Sequence, residues 1–223
     1  TKPPGNGPFP ALLYNHGSEP DPKRFATLRD WFVGHGYVFF LPHRRGQGLS
    51  PGPYIVDQMK HARDKQHAPA HFLEEQFPDV ANAAAFLRTQ PFVDPARMAV
   101  GGCSFGGIQT LLAAERGLGM RAAIDWAGDA ESWHNGPLRQ RLLAAVDHAK
   151  VPIFFLQAQN DYSTEPTRVF SAEAARAKKP HKAKLFPAYG DPTSHAMGHG
   201  GFCVHGTNVW GPDVLQFLEQ HLK

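Results

Sequence analysis

The chain contains 223 residues, of which 42% are hydrophobic and 19% charged, and its formal net charge is +3. This length suits one domain, 1–223, with a substantial core, and the composition is that of an ordinary globular protein. So small a net charge gives no indication of a nucleic-acid partner. No apolar run approaches the ~20 residues that a membrane-spanning helix needs.

Two cysteines are too few to predict a disulfide framework. No signal-peptide pattern opens the chain. It begins at Thr1 and not at a methionine, as a chain with upstream residues or a removed leader would. The compartment therefore stays open, with the cytoplasm as the default, and the sequence does not specify an oligomeric state.

Apolar runs bounded by glycine, proline or polar residues predict six strands, at residues 11–15, 37–41, 97–101, 122–126, 151–157 and 183–186. Helical periodicity and capping residues predict six helices. The first covers 21–34 and is capped by Asp21 before Pro22, and the second ends at about residue 89, with Pro78 either as a kink inside it or as its start. The other four are predicted over 105–116, 136–150, 164–178 and 212–222. Residues 187–207 are predicted to be a loop. The alternation predicts an α/β fold whose mostly parallel sheet has helices on both faces.

Residues 102–106 read Gly-Cys-Ser-Phe-Gly between a predicted strand and a predicted helix. This is the sequence form of a nucleophile elbow, in which a strained turn lifts a serine hydroxyl clear of the sheet. Side chains two residues before and after that serine would collide, and Gly102 and Gly106 have none. Cys103 is the competing nucleophile, but Phe105 stands where its frame needs a glycine. The pattern therefore favours Ser104.

A serine hydroxyl needs a base, and the base needs an orienting carboxylate. In a parallel sheet these groups gather at the carboxyl ends of the strands. Asp161 follows a predicted strand that ends at Gln157, and we expect it to be the acid. A turn aspartate in an Asx-type loop is the alternative reading of Asp161. Asp129 is the second candidate acid, and Asp125, inside its strand, is less favoured.

The last predicted loop contains three candidate bases, His195, His199 and His205. We favour His199, then His195, because the glycines around position 199 let the backbone bend toward Ser104. The alternative is that all three are surface or pocket-lining side chains. His195 and His199, near Cys203, also have a metal-ligand spacing, but that reading needs a helix, which the surrounding glycines disfavour. No metal and no cofactor are expected.

An oxyanion hole needs two backbone N–H groups. The residue after the nucleophile, Phe105, supplies one, and the His-Gly-Ser segment 16–18 after the first strand supplies the other, with Ser18 favoured over Glu19. A plain strand-ending turn is the alternative reading of 16–18. The glycine-rich segment 43–48 lacks the third glycine of a phosphate-binding loop, so we expect a structural turn with an arginine paired to a carboxylate.

Together these residues resemble the α/β-hydrolase superfamily, and more narrowly its dienelactone-hydrolase and prolyl-oligopeptidase-like esterase branch. The pieces that carry the resemblance are Asn15-His16-Gly17, Arg45-Gly46-Gln47-Gly48-Leu49-Ser50, Gly102-Cys103-Ser104-Phe105-Gly106-Gly107, Asn160-Asp161 with Pro166, and Gly198-His199 before Trp210 and the helical Val214-Leu215-Gln216-Phe217-Leu218. The resemblance implies an α/β-hydrolase fold and the order Ser, Asp, His.

The chain departs from that superfamily at three points. Dienelactone hydrolase itself has a cysteine in the frame where this chain has Ser104, and many members have an aspartate where His43 stands. The insertion between His195 and Phe202 weakens the assignment of the histidine.

Two strands that usually precede the one at residue 11 are absent, as expected if residues are missing upstream. With little or no lid evident, any cap comes from 54–76 or 127–137.

The residues and the resemblance both predict a serine hydrolase that cleaves a small-molecule carboxylic ester, or else a thioester, lactone or small amide. Ser104 would be the nucleophile, His199 the base and Asp161 the acid, with the N–H groups of Phe105 and Ser18 as oxyanion donors. The rival hypotheses are a catalytically silent binding protein of the same fold and an acyltransferase that uses an alcohol in place of water.

Overall fold

The six predicted strands form one sheet in the computed structural model, which describes residues 1–23 and 25–223. Their bounds are β1 Phe9–Asn15, β2 Val38–Phe40, β3 Val93–Cys103, β4 Ala122–Trp126, β5 Ile153–Ala158 and β6 His181–Phe186. The strand order is β2-β1-β3-β4-β5-β6, and every neighbouring pair is parallel. The sheet therefore brings the ends of β1, β3, β4 and β5 to one edge, as predicted.

The helices are α1 Ala26–Gly34, α2 Ile55–His61, α3 Ala68–Arg88, α4 Phe105–Arg116, α5 Gly136–Asp147, α6 Glu165–Arg176, α7 Phe202–His205 and α8 Thr207–His221, with a π-helical turn at Met197–Gly201. None in the described part of the chain is long and apolar enough to cross a membrane.

Helices cover both faces of the sheet, and alternation along the strands explains why. In β1, Leu13 points to the core beneath α3, α4 and α5, whereas Leu12 and Tyr14 point to a second core beneath α1 and α8. This period of two buries both faces of a parallel sheet, which needs helices on each side. The predicted fold class is confirmed.

The predicted start of the first helix is wrong. The first helix begins at Ala26, with Phe25 at its N-cap, and not at Asp21; Arg24, which the prediction included, lies outside the described residues. Of the two readings of Pro78, the helix start is wrong, because α3 begins at Ala68 and continues through Pro78, with Phe77 and Val80 buried in the core. One proline removes a single helical hydrogen bond, and this packing offsets the loss.

The segment 187–207 is not the loop that its glycines predicted, because it contains the π-helical turn and α7. The last helix likewise begins at Thr207, ahead of the predicted start at Pro212, which lies inside it. Buried Phe202, Val204 and Trp210 anchor these turns on the sheet. Tertiary packing of these apolar side chains outweighs the low helix propensity of the glycines around them.

The two cysteines form a disulfide, which their number alone did not predict. Cys103, the last residue of β3, is bonded to Cys203 in α7, with the Cα atoms 6.0 Å apart and a sequence separation of 100. Both side chains are buried. A count of cysteines says nothing about whether two distant residues meet in the fold. The bond ties the residue before Ser104 to the segment that follows His199.

We expect reduction of this disulfide to lower the free energy of unfolding by about 2–4 kcal/mol, because a long closed loop restricts the unfolded chain. Urea unfolding of the wild type with and without a reductant measures the difference. The double variant Cys103→Ala/Cys203→Ala is the control, since its stability has to be indifferent to the reductant. An unchanged stability of fully reduced wild type would contradict the prediction.

Candidate active site

Ser104 lies in a strained turn between β3 and α4. Its backbone has φ 57° and ψ −121°, a conformation that costs free energy and that non-glycine residues rarely adopt. A Cβ added to Gly106 would lie 1.9 Å from the carbonyl oxygen of Asn15, and one added to Gly102 would lie 2.5 Å from the backbone of Gly106. The glycine frame is therefore a steric requirement of this turn, as the sequence predicted.

Asp161 and His199 form a buried pair. His199 Nδ1 lies 2.8 Å from Asp161 Oδ1, and the Asp161 side chain is wholly buried. The other ring nitrogen of His199, Nε2, is buried and has no hydrogen-bond partner among the described residues. The carboxylate thus orients the ring through Nδ1 and leaves Nε2 free to take a proton.

Two further groups hold Asp161. Gln157 Nε2 donates to Asp161 Oδ2 at 2.8 Å, and the backbone N–H of Tyr162 donates to Oδ1 at 2.7 Å. Thr167 Oγ1 in turn donates to Gln157 Oε1 at 2.9 Å. Both carboxylate oxygens are therefore occupied by protein donors, and the Asp161 side chain is fixed. Gln157 was read from the sequence only as a strand end, so this positioning role was missed.

Asn160 organises the segment that leads to His199. Its Nδ2 donates to the carbonyls of Tyr189, Asp191 and Ser194 at 2.9–3.1 Å, and its Oδ1 accepts from the N–H of Tyr189. A Cβ on Gly198 would lie 2.6 Å from the Asn160 backbone. This close approach explains why a glycine precedes His199. In the sequence, only the position of Asn160 beside Asp161 pointed to this residue, because its hydrogen-bond partners lie far away along the chain.

The other two candidate histidines lie elsewhere. His195 is exposed, with Nδ1 3.1 Å from the carbonyl of Asn160 and its ring against Tyr162. His205 is exposed at the end of α7. Of the three, His199 is the one against Asp161.

The sequence disfavoured a metal pair because its glycines predicted no helix beneath His195 and His199, and this reason is wrong, since a helical turn underlies both residues. Their Nδ1 atoms face Asn160 and Asp161, however, and Cys203 is in the disulfide. In the described part of the chain, no group of three or more His, Cys, Asp or Glu side chains is arranged to hold a metal ion.

The two remaining candidate acids do not bind His199. Asp125 Oδ1 accepts from the backbone N–H of Gly128 at 2.9 Å, and burial raises the pKa of Asp125 to about 7 despite that bond. Both oxygens of Asp129 are buried and have no hydrogen-bond partner among the described residues. Asp129 is nevertheless close to the nucleophile, because it lines the same cavity as Ser104.

The loop after β1 approaches the elbow, as predicted. Ser18 lines the cavity together with Ser104 and Phe105. Phe105 is the first residue of α4, where the backbone N–H groups have no partner within the helix. These placements are compatible with Ser18 and Phe105 as donors to an oxyanion.

A buried arginine fixes that loop. Arg44 is 1% exposed, and its Nη2 donates to the carbonyl of Gly17 at 2.5 Å. Its guanidinium carbon lies 5.2 Å from the centre of the Phe105 ring. Because the sequence gives no signal that an arginine between two loops is buried, this contact was missed. The neighbouring Arg45 pairs with Asp79 at 2.6 Å, which confirms the expected structural turn.

The cavity beside Ser104 has a volume of about 210 Å³. Its walls come from both segments that the sequence named as sources of a cap, since α2 supplies Val56 and Met59 and the loop after β4 supplies Asp129, Ala130 and Glu131. It is a small, mainly apolar cavity with a nucleophile candidate at one side, as substrate pockets are.

A family model described as the dienelactone hydrolase family matches residues 16–209. No curated protein sequence gives a significant match.

Solved structures with similar folds include three hydrolases. Acylaminoacyl peptidase from Pyrococcus horikoshii aligns over 100% of this chain at 18% identity and TM-score 0.68. This chain spans only 39% of that peptidase. Est1E from Butyrivibrio proteoclasticus, solved with ferulic acid bound, aligns over 99% of this chain and 93% of its own at 15% identity and TM-score 0.70. GrgF, an alpha/beta hydrolase from Penicillium sp. sh18, aligns over 99% of this chain and 92% of its own at 18% identity and TM-score 0.70. At these identities the likeness shows the fold, that of α/β-hydrolases.

The buried pair predicts how His199 titrates. Burial lowers the pKa of His199, but the hydrogen bond and negative charge of Asp161, with the charge of Glu131, outweigh it and raise the pKa above its usual 6.5. In Asp161→Asn the effect of burial is no longer offset, so we expect the pKa to fall below 6.5. NMR titration of the imidazole resonances measures both values without requiring activity. His199→Gln identifies the resonance by its loss, and a pKa equal in wild type and Asp161→Asn would contradict the pairing.

Proposed function

The chain belongs to the dienelactone hydrolase family, and we propose that it is a serine hydrolase that cleaves a small carboxylic ester at Ser104. The observation that supports this proposal most strongly is the arrangement of His199. Its Nδ1 contacts Asp161, while its buried Nε2 has no hydrogen-bond partner in the part of the chain that the structure describes. A histidine held in this way is suited to act as a general base. The family match and the hydrolase neighbours support a hydrolytic activity in general.

In the proposed reaction, Ser104 Oγ attacks the carbonyl carbon of the ester while its proton passes to Nε2 of His199. The negative charge that develops on the carbonyl oxygen is stabilised by the N–H groups of Phe105 and Ser18, each worth about 2.7–4 kcal/mol in comparable sites. The tetrahedral intermediate collapses, and the alcohol leaves with the proton from His199. Water then attacks the acyl-enzyme with His199 again as the base, which releases the acid and regenerates Ser104.

A short ester is favoured over one with a long acyl chain because the cavity beside Ser104 is small. Thioesters, lactones and small amides undergo the same two-step chemistry and are the next substrates to test. Transfer to an alcohol would differ only in the second step, so products formed with a competing acceptor distinguish it from hydrolysis.

We expect Ser104→Ala to reduce turnover of p-nitrophenyl acetate by at least about three orders of magnitude, because the proposed nucleophile is removed. Steady-state kinetics measures the loss, and unchanged thermal unfolding shows that the variant is folded. A fluorophosphonate probe should label wild type at Ser104 and leave the variant unlabelled. Comparable turnover in the variant would refute the proposal, and a folded wild type that is neither labelled nor active would indicate a silent binding protein.

The two neighbouring histidines provide a matched pair of variants. We expect His199→Gln to lower kcat by about 10³-fold or more, because the base is lost. His195→Gln should stay within about threefold of wild type, since that side chain is exposed and does not contact Asp161. Kinetics on the same ester measures both. The reverse order of effects would move the proposed base to His195.

A further inference from the structure

The cavity beside Ser104 has an acidic lining. Two of the residues that line it are ionisable, the buried Asp129 and the exposed Glu131, and both are acidic. None of its lining residues in the described part of the chain is basic. The rest of the wall is largely apolar, with Val56, Met59 and Leu138 among its side chains. A ligand that complements this cavity has an apolar body and a positive charge.

Asp129 is the feature that needs explanation. Asp129 is only 4% exposed, and neither of its carboxylate oxygens has a hydrogen-bond partner among the described residues. A buried carboxyl group without a partner is costly, and the cost reaches several kcal/mol when the group is ionised. Its backbone is also strained, at φ 66°. Residues held under such cost and strain cluster at ligand sites.

The surroundings of Asp129 do not neutralise it. The charges that act on it come from Asp125 in β4 and Arg139 in α5. Arg139 does not pair with Asp129 but donates to the carbonyl of Trp133 at 3.3 Å. Burial, with the negative charge of Asp125, raises the pKa of Asp129 to about 8 against the opposing effect of Arg139. A cation placed against this carboxyl would favour its ionised form and supply the missing partner.

We propose that Asp129 binds a positively charged ammonium group of the substrate, so that the preferred ester carries an ammonium cation a short distance from the scissile carbonyl. This inference rests on the proposed function, because it assigns a substrate class to the cavity that contains Ser104. Glu131 adds a second negative charge to the same cavity and draws cations toward it. Substrates with a carboxylate are disfavoured there for the same reason.

Two esters of equal shape test the proposal. p-Nitrophenyl 4-(trimethylammonio)butyrate carries a permanent cation, and p-nitrophenyl 5,5-dimethylhexanoate is its neutral isostere. We expect wild type to prefer the cationic ester in kcat/KM by about tenfold or more. In Asp129→Asn, which keeps the shape of the side chain, this ratio should fall to about one. The ratio is read within each variant, so a general loss of activity does not affect it.

Asp57→Asn is the matched control. Asp57 lies on α2, is 61% exposed and does not line the cavity, so the variant makes the same chemical change outside the site. It should keep the preference of the wild type. A wild-type ratio near or below one would overturn the proposal. A preference that persists in Asp129→Asn would also overturn it, because the cation would then be bound elsewhere.

A binding measurement separates this proposal from the proposed function. Choline and its neutral analogue 3,3-dimethylbutan-1-ol are added to the Ser104→Ala variant, and its unfolding temperature is measured. This measurement does not require turnover. We expect choline, but not the neutral alcohol, to raise the unfolding temperature of Ser104→Ala. In the double variant Ser104→Ala/Asp129→Asn, choline should no longer have this effect. If wild type hydrolyses neither ester but choline still stabilises Ser104→Ala through Asp129, the cation site stands and the hydrolase proposal fails. If choline stabilises no better than the alcohol, the cation site is refuted whatever the esters show.

Discussion

The close contact between α4 and β1 is the constraint on which the site depends. Only hydrogen atoms fit between Gly106 and the carbonyl of Asn15, and any side chain at Gly106 would push the helix away from the sheet. This contact forces the chain to turn within one residue, and Ser104 takes the strained conformation as a result. The same contact brings the N-terminus of α4 beside the loop that follows β1. One steric fit therefore sets the position of the candidate nucleophile and of both candidate oxyanion donors.

The opposite side of the site depends on buried amides. Gln157 and Asn160 each make several hydrogen bonds, Gln157 to the acid and Asn160 to the segment that leads to His199. Fully satisfied polar networks of this kind hold side chains in one arrangement, because breaking any member leaves a buried group unpaired. The disulfide joins the two sides, since it links the end of β3 to α7. The nucleophile candidate and the base candidate are thus carried on segments that are covalently tied.

The sequence was sufficient where local rules decide the structure. Alternation and apolar runs located all six strands, and the glycines around Ser104 predicted the strained turn that the structure contains. It was insufficient where packing between distant segments decides. The helical turn at 197–201 contradicts its glycine content, because Phe202 and neighbouring apolar residues are buried against the sheet. Arg44 and the pairing of Cys103 with Cys203 depend on contacts that no local pattern encodes.

The same distinction between local rules and packing of distant segments applies to the candidate site residues. The position of Asp161 after a strand end was predictable, since strand ends converge in a parallel sheet. The preference for His199 over its neighbours rested on flexible glycines, whereas in the structure Gly198 matters because it lets the backbone approach Asn160 closely. The structure pairs His199 with Asp161, and the physical reason for the glycine before it differs from the predicted one.

Two buried acids near the site show how hydrogen bonding separates structural from ligand-directed roles. Both oxygens of Asp161 are occupied by protein donors, so this carboxylate is committed to holding His199. Both oxygens of Asp129 lack a hydrogen-bond partner within 1–23 and 25–223, although this residue is just as deeply buried. Since burial costs the two carboxylates similarly, the difference lies in what compensates it. For Asp161 the compensation is built into the fold, and for Asp129 we propose that a cation entering the cavity supplies it.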